Sequence, residues 1–236
     1  MSSPILVVDD EPGIRRVLVS YLRANSYDTL EAADGRAALA EFRTGAPDLV
    51  LLDIGLPDID GLEVLRQMRM VADVPTILVT ARAEEMDTII GLSVGADDYI
   101  TKPFSPREVV ARVSAVLRRR PAPVAAGVGA PDVLAFAGLV IDPRRREVLL
   151  EGRGVQFSAL EFDLLHALAT EPGRVFSRAQ LLEKVWGSDF FGDERVVDVH
   201  IRSIRRALGD PADEPGFIAT VRSVGYRFVG RPERTR

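Results

Sequence analysis

Five polar residues in the first half of this 236-residue chain stand directly after short apolar runs. Asp9 and Asp10 follow Ile5 to Val8, Asp53 follows Leu49 to Leu52, Thr80 follows Thr76 to Val79, and Lys102 comes just after Tyr99 and Ile100. Three carboxylates gathered at one point repel one another, and a divalent cation between them relieves that repulsion at neutral pH. Donors that are all oxygen suit Mg²⁺ (or Mn²⁺), a hard cation that keeps some of its water and bridges to phosphate oxygens. The ammonium of Lys102 and the hydroxyl of Thr80 complement a phosphoryl group, and Ala81 is small enough to leave room for one. Any one aspartate after a strand is usually a turn residue or helix cap. It is their joint placement that points to phosphoryl chemistry.

The elements that must position these residues are legible. Ile5 to Val8, Leu49 to Leu52 and Thr76 to Val79 are almost continuously apolar, as strands buried on both faces should be, while Tyr27 to Ala32 and Tyr99 to Ile100 are weaker strand signals. Helical periods fill the gaps: Val17, Leu18, Tyr21 and Leu22; Ala37, Ala38, Leu39 and Phe42; Leu62, Leu65 and Met68; Ile89, Ile90 and Leu92; Val109, Val110, Val113, Val116 and Leu117. Five strands alternating with five helices predict a doubly wound parallel α/β sheet. In such sheets ligands bind beyond the carboxyl ends of the strands, where all five polar residues fall.

Composition sets the wider frame. With 47% hydrophobic and 28% charged residues the chain can fill compact interiors, and its length predicts two domains. The absence of cysteine excludes disulfides, thiolate metal sites and a cysteine nucleophile, and fits a reducing cytoplasm. The apolar run at the N-terminus is too short for a signal peptide or a membrane span, so a soluble, cytoplasmic protein with no membrane partner is expected. Residues 1–120 carry 14 Lys/Arg against 19 Asp/Glu, and residues 121–236 carry 16 of each, so any nucleic-acid contact must come from a local cluster. PAPVAAGVGAP at 121–131 has no helical or alternating period and reads as a linker. The expected division is 1–119, a linker at 120–132, and 133–236.

The second domain opens with strand alternation through Leu134 to Val140 and Glu147 to Gln156, with turn residues Asp142 and Pro143 between them. Ser158 with Glu161, and Ser177 with Gln180, are capping boxes that open two helices, and Ser105 with Glu108 forms another in the first domain. A third helix spans Arg195 to Leu208 and stops at Gly209. Phe217 to Arg222 and Tyr226 to Val229 predict a closing hairpin, so the pattern is an α+β winged helix-turn-helix. At 100° per residue Val197, Ile201, Ile204 and Leu208 lie within about 60° and face inward. Arg195, Val199, Arg202 and Arg206 occupy the opposite arc, with Asp198 and Arg205 flanking one side and Val196 and Ser203 the other. A ridge of arginines with a small apolar side chain suits a DNA major groove.

VVDDEPGI, LVLLDIGLPDIDG, ILVTARAE and GADDYITKPFSPREVVARV resemble the signature segments of receiver domains, which have a flavodoxin-like fold. VFSRAQLLEKVWG, ERVVDVHIRSIRRALGD and ATVRSVGYRFV resemble the winged-helix effector of the OmpR/PhoB family of two-component response regulators. The resemblance implies that Asp53 accepts phosphate from a sensor histidine kinase. It implies Mg²⁺ (or Mn²⁺) held by Asp10, Asp53 and the backbone carbonyl of Gly55, with Asp9 acting through water. Thr80, Tyr99 and Lys102 would be the switch and phosphate-stabilising residues, and the Lys102–Pro103 bond would be cis. A homodimer formed on phosphorylation would use Asp97, Asp98, Glu108, Arg112 and Arg119, although Thr88 stands where Glu108 would need a basic partner. Double-stranded promoter DNA would meet Arg195, Val199, Arg202, Ser203 and Arg206 in the major groove. Arg178, Trp186 and Thr220 would contact phosphate, Arg222 would enter the minor groove, and RNA polymerase is a further partner. His200 and Trp186 have strong alternative readings as packing residues. Two other classes compete: a phosphohydrolase built on Asp53, disfavoured because Gly55 stands where such enzymes place a second acid, and a receiver controlling an RNA- or protein-binding output.

Overall fold

In the computed structural model, the described residues are 4–81, 95–118, 133–187 and 194–233. They form two compact units. In the first, strands β1 (Ile5–Val8), β2 (Thr29–Ala32), β3 (Leu49–Asp53), β4 (Thr76–Thr80) and β5 (Asp98–Thr101) alternate with helices α1 (Pro12–Ala24), α2 (Gly35–Gly45) and α3 (Gly61–Arg69), and α4 (Pro106–Arg118) follows β5. The sheet order is β2-β1-β3-β4-β5 and every pairing is parallel. The apolar pattern at Ile89, Ile90 and Leu92, and Thr88 and Arg119, lie outside the described residues, as does the 120–132 segment read as a linker.

β1, β3 and β4 are buried along their whole length, which is why their sequences do not alternate. β3 is the third of five strands and is bonded on one side to β1 and on the other to β4. Ile5, Val7, Leu49, Leu51, Ile77 and Ile100 meet Leu18 and Leu22 of α1 and Val109, Val113 and Val116 of α4 on one face of the sheet. The loop after β3 is pinned in two ways. A side chain at Gly61 would overlap the carbonyl oxygen of Asp53, so only glycine fits beneath the strand end. Asp58 accepts hydrogen bonds from the N–H groups of Gly35 (2.7 Å) and Arg36 (3.1 Å), tying the loop to the first turn of α2.

The second unit opens with an antiparallel meander, β6 (Leu134–Phe136), β7 (Leu139–Asp142), β8 (Glu147–Leu150) and β9 (Arg153–Val155). The two alternating stretches of the sequence thus become four short strands, because residues 137–138 and 151–152 turn the chain within each. α5 (Ala159–Ala169) and α6 (Arg178–Trp186) both begin with the expected capping boxes. α7 (Arg195–Leu208) packs against both of them and ends at Gly209, which takes the left-handed conformation. β11 (Ile218–Val221) and β12 (Gly225–Phe228) form the expected hairpin, joined by an unexpected third strand, β10 (Val175–Ser177). Gly225 allows this pairing, since a side chain there would strike the carbonyl oxygen of Phe176.

Candidate functional site

The strand ends of the first unit bring Asp9, Asp10, Asp53, Thr80 and Lys102 together. One carboxylate oxygen from each of Asp9, Asp10 and Asp53 lies within 4.8 Å of the others. Asp9 and Asp53 are buried and Asp10 is exposed, so the cluster has a closed floor and an open rim. Asp10, Asp53, Gly55, Thr80, Ala81 and Lys102 line a cleft of about 300 Å³. Lys102 sits among the acids, its ammonium 2.7 Å from Asp53 Oδ2 and 2.9 Å from Asp9 Oδ2. Asp53 Oδ1 accepts from the N–H of Gly55 at 3.1 Å, and Asp9 Oδ1 accepts from the N–H of Glu11 at 2.9 Å.

The electrostatics match this crowding. Burial pushes the Asp9 carboxyl above its ordinary pKa, against the opposing pull of the Lys102 and Glu11 hydrogen bonds. Burial disfavours the charge on Lys102, yet its hydrogen bonds to Asp53 and Asp9 outweigh that and hold its pKa above the ordinary lysine value. One ammonium therefore balances only part of the charge of three carboxylates. A set of hard oxygen donors with surplus negative charge fits a divalent cation. The Lys102–Pro103 peptide bond is cis. Sequence reasoning passed over Glu11, which lines the same cleft and lies 3.5 Å from the Lys102 ammonium. Its place directly after the aspartate pair was the available signal.

The side of β5 and α4 carries its own ion pairs. Asp97 and Asp98 are buried, at 3% and 0% exposure, and each is bonded within its own chain. Asp97 accepts from Arg69 and from the N–H of Thr76, both at 2.8 Å. Asp98 accepts from Arg112 at 3.0 Å, and Arg112 also donates to Glu108 at 2.8 Å. Asp97 and Asp98, expected on a dimer face, turn their carboxylates within the chain to Arg69 at the end of α3 and to Arg112 of α4. Glu108 turns its carboxylate to Arg112 one helical turn on. Tyr99 is half-buried on β5, in register with Leu78 of β4.

In the second unit α7 presents Arg195, Arg202 and Arg206 as exposed residues and buries Val197, Ile201, Ile204 and Leu208. Val199 is buried at 7% exposure, which corrects its assignment to the outward ridge. The reason is that α7 is enclosed over a wider arc than the narrow stripe implied, so Val196, Val199 and His200 also face protein. Trp186 is 1% exposed, with its ring 6.0 Å from that of His200, so it belongs to the core and not to a phosphate-contacting surface. Ser203 is half-buried, and Thr220 and Arg222 on the hairpin are exposed. Arg205 donates to the carbonyl of Ile218 (2.7 Å) and to Thr220 Oγ1 (2.9 Å), locking α7 to β11. Arg178 donates through Nε to Asp198 Oδ1 at 2.6 Å, and the Tyr226 hydroxyl donates to the same oxygen at 2.6 Å. Burial, then this hydrogen bond, pushes the Tyr226 hydroxyl up to about 12.

Comparison with known proteins agrees with both halves. A family profile described as response regulator receiver domain matches residues 5–114, and one described as transcriptional regulatory protein, C terminal, matches residues 152–228. The chain is 42% identical over 234 residues to the phosphate regulon transcriptional regulatory protein PhoB of Escherichia coli (strain K12), covering 98% of this chain and 100% of that protein. It is 41% identical to the sensory transduction protein RegX3 of Mycolicibacterium smegmatis over 227 residues, 96% of this chain and 99% of that one. Among solved structures, the response regulator DrrB of Thermotoga maritima, described as an OmpR/PhoB homolog, is 32% identical with a TM-score of 0.53, covering 98% of this chain and 100% of that one. A cysteine-to-serine mutant of RitR is 26% identical with a TM-score of 0.75, covering 96% of this chain and 99% of that one. Among the described residues no helix is long and apolar enough to cross a membrane.

Proposed function

The chain belongs to the OmpR/PhoB family of response regulators, a family of transcription regulators with a receiver and a DNA-binding domain, and from that premise we propose that phosphorylation of Asp53 by a sensor histidine kinase controls its binding to promoter DNA. An Asp53 carboxylate oxygen attacks the phosphorus of the kinase phosphohistidine. The P–O bond forms as the P–N bond breaks, and the departing imidazole nitrogen takes a proton. Asp10, Asp53 and the carbonyl of Gly55 would hold Mg²⁺ (or Mn²⁺), with Asp9 acting through water; when bound, the ion supplies neutralisation of phosphoryl charge. Lys102 pairs with phosphoryl oxygens formed beside it, and Thr80 supplies a hydroxyl from the cleft wall. The chain catalyses only its own phosphorylation and dephosphorylation.

The observation that carries this reading is the position of the Lys102 ammonium between Asp53 and Asp9, at the edge of a cleft that the acids leave negatively charged. Movement of Thr80 toward the phosphoryl group and of Tyr99 inward then reshapes the β5–α4 side, through which two copies dimerise. Of the residues expected there, Glu108 is exposed and Arg112 partly so. The dimer lays Arg195, Arg202, Ser203 and Arg206 in the major groove of tandem half-sites about one helical turn apart, with Thr220 on phosphate and Arg222 in the minor groove. RNA polymerase would be the partner such a dimer acts on.

Incubation of the full chain with Mg²⁺ and a phosphodonor, either acetyl phosphate or a phosphorylated histidine kinase, tests the switch. Wild type should gain one phosphoryl group by intact mass and shift toward dimer on size exclusion, and Asp53→Ala should do neither. Wild type that stays unmodified with both donors would remove Asp53 from its role.

A further inference from the structure

Asp198 is an acid placed beside a surface read as DNA-binding, where its charge alone should weaken affinity for a polyanion. Its surroundings suggest why it is there. It lies in the first turn of α7, about 40° around the helix from Arg202 and 60° from Arg195, so it borders the exposed ridge. Its Oδ1 accepts two hydrogen bonds, from Arg178 Nε and from the Tyr226 hydroxyl, each 2.6 Å long. Arg178 opens α6, where the helix dipole favours an anion, and its guanidinium carbon lies 5.3 Å from the centre of the Tyr226 ring. Nε is thus occupied and the guanidinium sits over an aromatic ring. The guanidinium also lies against the Tyr226 side chain, and its Nη1 and Nη2 are not buried.

We infer that Asp198 is a positioning residue for DNA binding: with Tyr226 it fixes Arg178 so that both Nη groups are presented to one backbone phosphate at the α6 N-terminus, beside the arginine ridge of α7. The three residues come from α6, α7 and β12, so the same contact also sets the spacing of the first helix of the motif, the helix read as groove-binding, and the hairpin. Arg205 performs the complementary link to β11 and leaves Arg178 as the outward-facing cation of the group. This inference rests on the reading that the second unit binds duplex DNA.

The test compares Asp198→Ala with Asp198→Asn in the full chain, by titration onto a random-sequence duplex of about three helical turns at several salt concentrations, so that no operator is needed. Both variants remove the same charge, but the Asn Oδ1 still accepts from Arg178 Nε and from Tyr226. Asp198→Asn should bind at least as tightly as wild type with an undiminished salt slope. Asp198→Ala should lose about 0.9 of a unit of slope, the share of one phosphate contact, so its affinity ratio between roughly 50 and 200 mM salt shrinks about 3.5-fold. Should Asp198→Ala fold poorly by circular dichroism, Arg178→Lys provides the same comparison: it keeps the cation, loses the held fork, and should show the same loss of slope. Equal slopes for the Ala and Asn variants, or a wild-type slope in Arg178→Lys, would overturn the inference while leaving DNA binding intact. Wild type that shows no salt-dependent duplex binding would overturn the DNA reading and this inference together.

Discussion

The chain contains two carboxylate–cation networks, and they differ in balance. In the acid cleft three aspartates share one lysine, whereas at the α6–α7–β12 junction one aspartate is matched by one arginine and one phenol. The first is left with surplus charge in a partly buried place, which suits it to a further cation. The second is internally satisfied at its acid, and what it offers outward is geometry. Surplus charge marks chemistry here, and closed charge marks alignment.

Removing a cation should separate the two networks most sharply. Lys102→Ala leaves the buried Asp9 and Asp53 without their ammonium, and should destabilise the metal-free chain by about 3 kcal/mol. Millimolar Mg²⁺ should recover part of that loss in a thermal melt, whereas Arg178→Ala should show no Mg²⁺-dependent recovery. A Lys102→Ala protein as stable as wild type in EDTA would show that the acids are not crowded enough to need it.

Alkali attacks the second network through Tyr226. Its hydroxyl is raised from 10.0 to about 12 in the folded state, so between these values the folded chain holds a proton that the unfolded chain has lost. The contribution is fully present below pH 10 and is lost as pH rises through about 12, a change of about 3 kcal/mol. Tyr226→Phe should remove that segment of the stability–pH curve, measured as the difference between the two proteins in urea. Lys102 works in the same direction above 10.5, since its folded pKa is also raised, so the comparison must be made against the single Tyr variant.

A smaller effect of opposite character is expected at Asp9. Its folded pKa is raised, so the fold prefers the neutral form and this term weakens stability as pH rises from 3.8 through the folded value. Asp9→Asn should therefore stabilise the metal-free protein at neutral pH, while weakening Mg²⁺ binding measured by calorimetry. Loss of both stability and Mg²⁺ affinity would mean that the Lys102 pair, not desolvation, dominates at this carboxylate. Smallest of all, Ser223 adopts φ 62 in the hairpin turn, and Ser223→Gly should add about 0.5–1 kcal/mol without touching either charge network.

The parallel sheet and the acid cleft were open to sequence reasoning because both obey short-range rules. β1, β3 and β4 announce themselves as unbroken apolar runs, and the polar residues follow each run at once. β10 was hidden because Val175 and Phe176 run straight into the capping box of α6, with no turn to separate strand from helix. Val199 was misplaced because a helical wheel knows the stripe but not how far neighbouring helices wrap around it. The partners of Asp97 and Asp98 within the chain, Arg69 and Arg112, are 28 and 14 residues away, and no periodicity links them. The Arg178–Asp198–Tyr226 group joins residues 20 and 28 apart and was invisible for the same reason.

Asp53, the proposed phosphoacceptor, closes the middle strand of the sheet, with β1 on one side and β4 on the other. Amide protons of β3 should exchange with solvent only when the whole unit opens, so their protection reports global stability. A phosphoryl group placed on Asp53 would then sit on the most firmly anchored strand of the sheet. Deuterium uptake on phosphorylation should change at the periphery of the sheet, around β5 and α4, while β3 keeps time with the slowest exchanging part of the molecule.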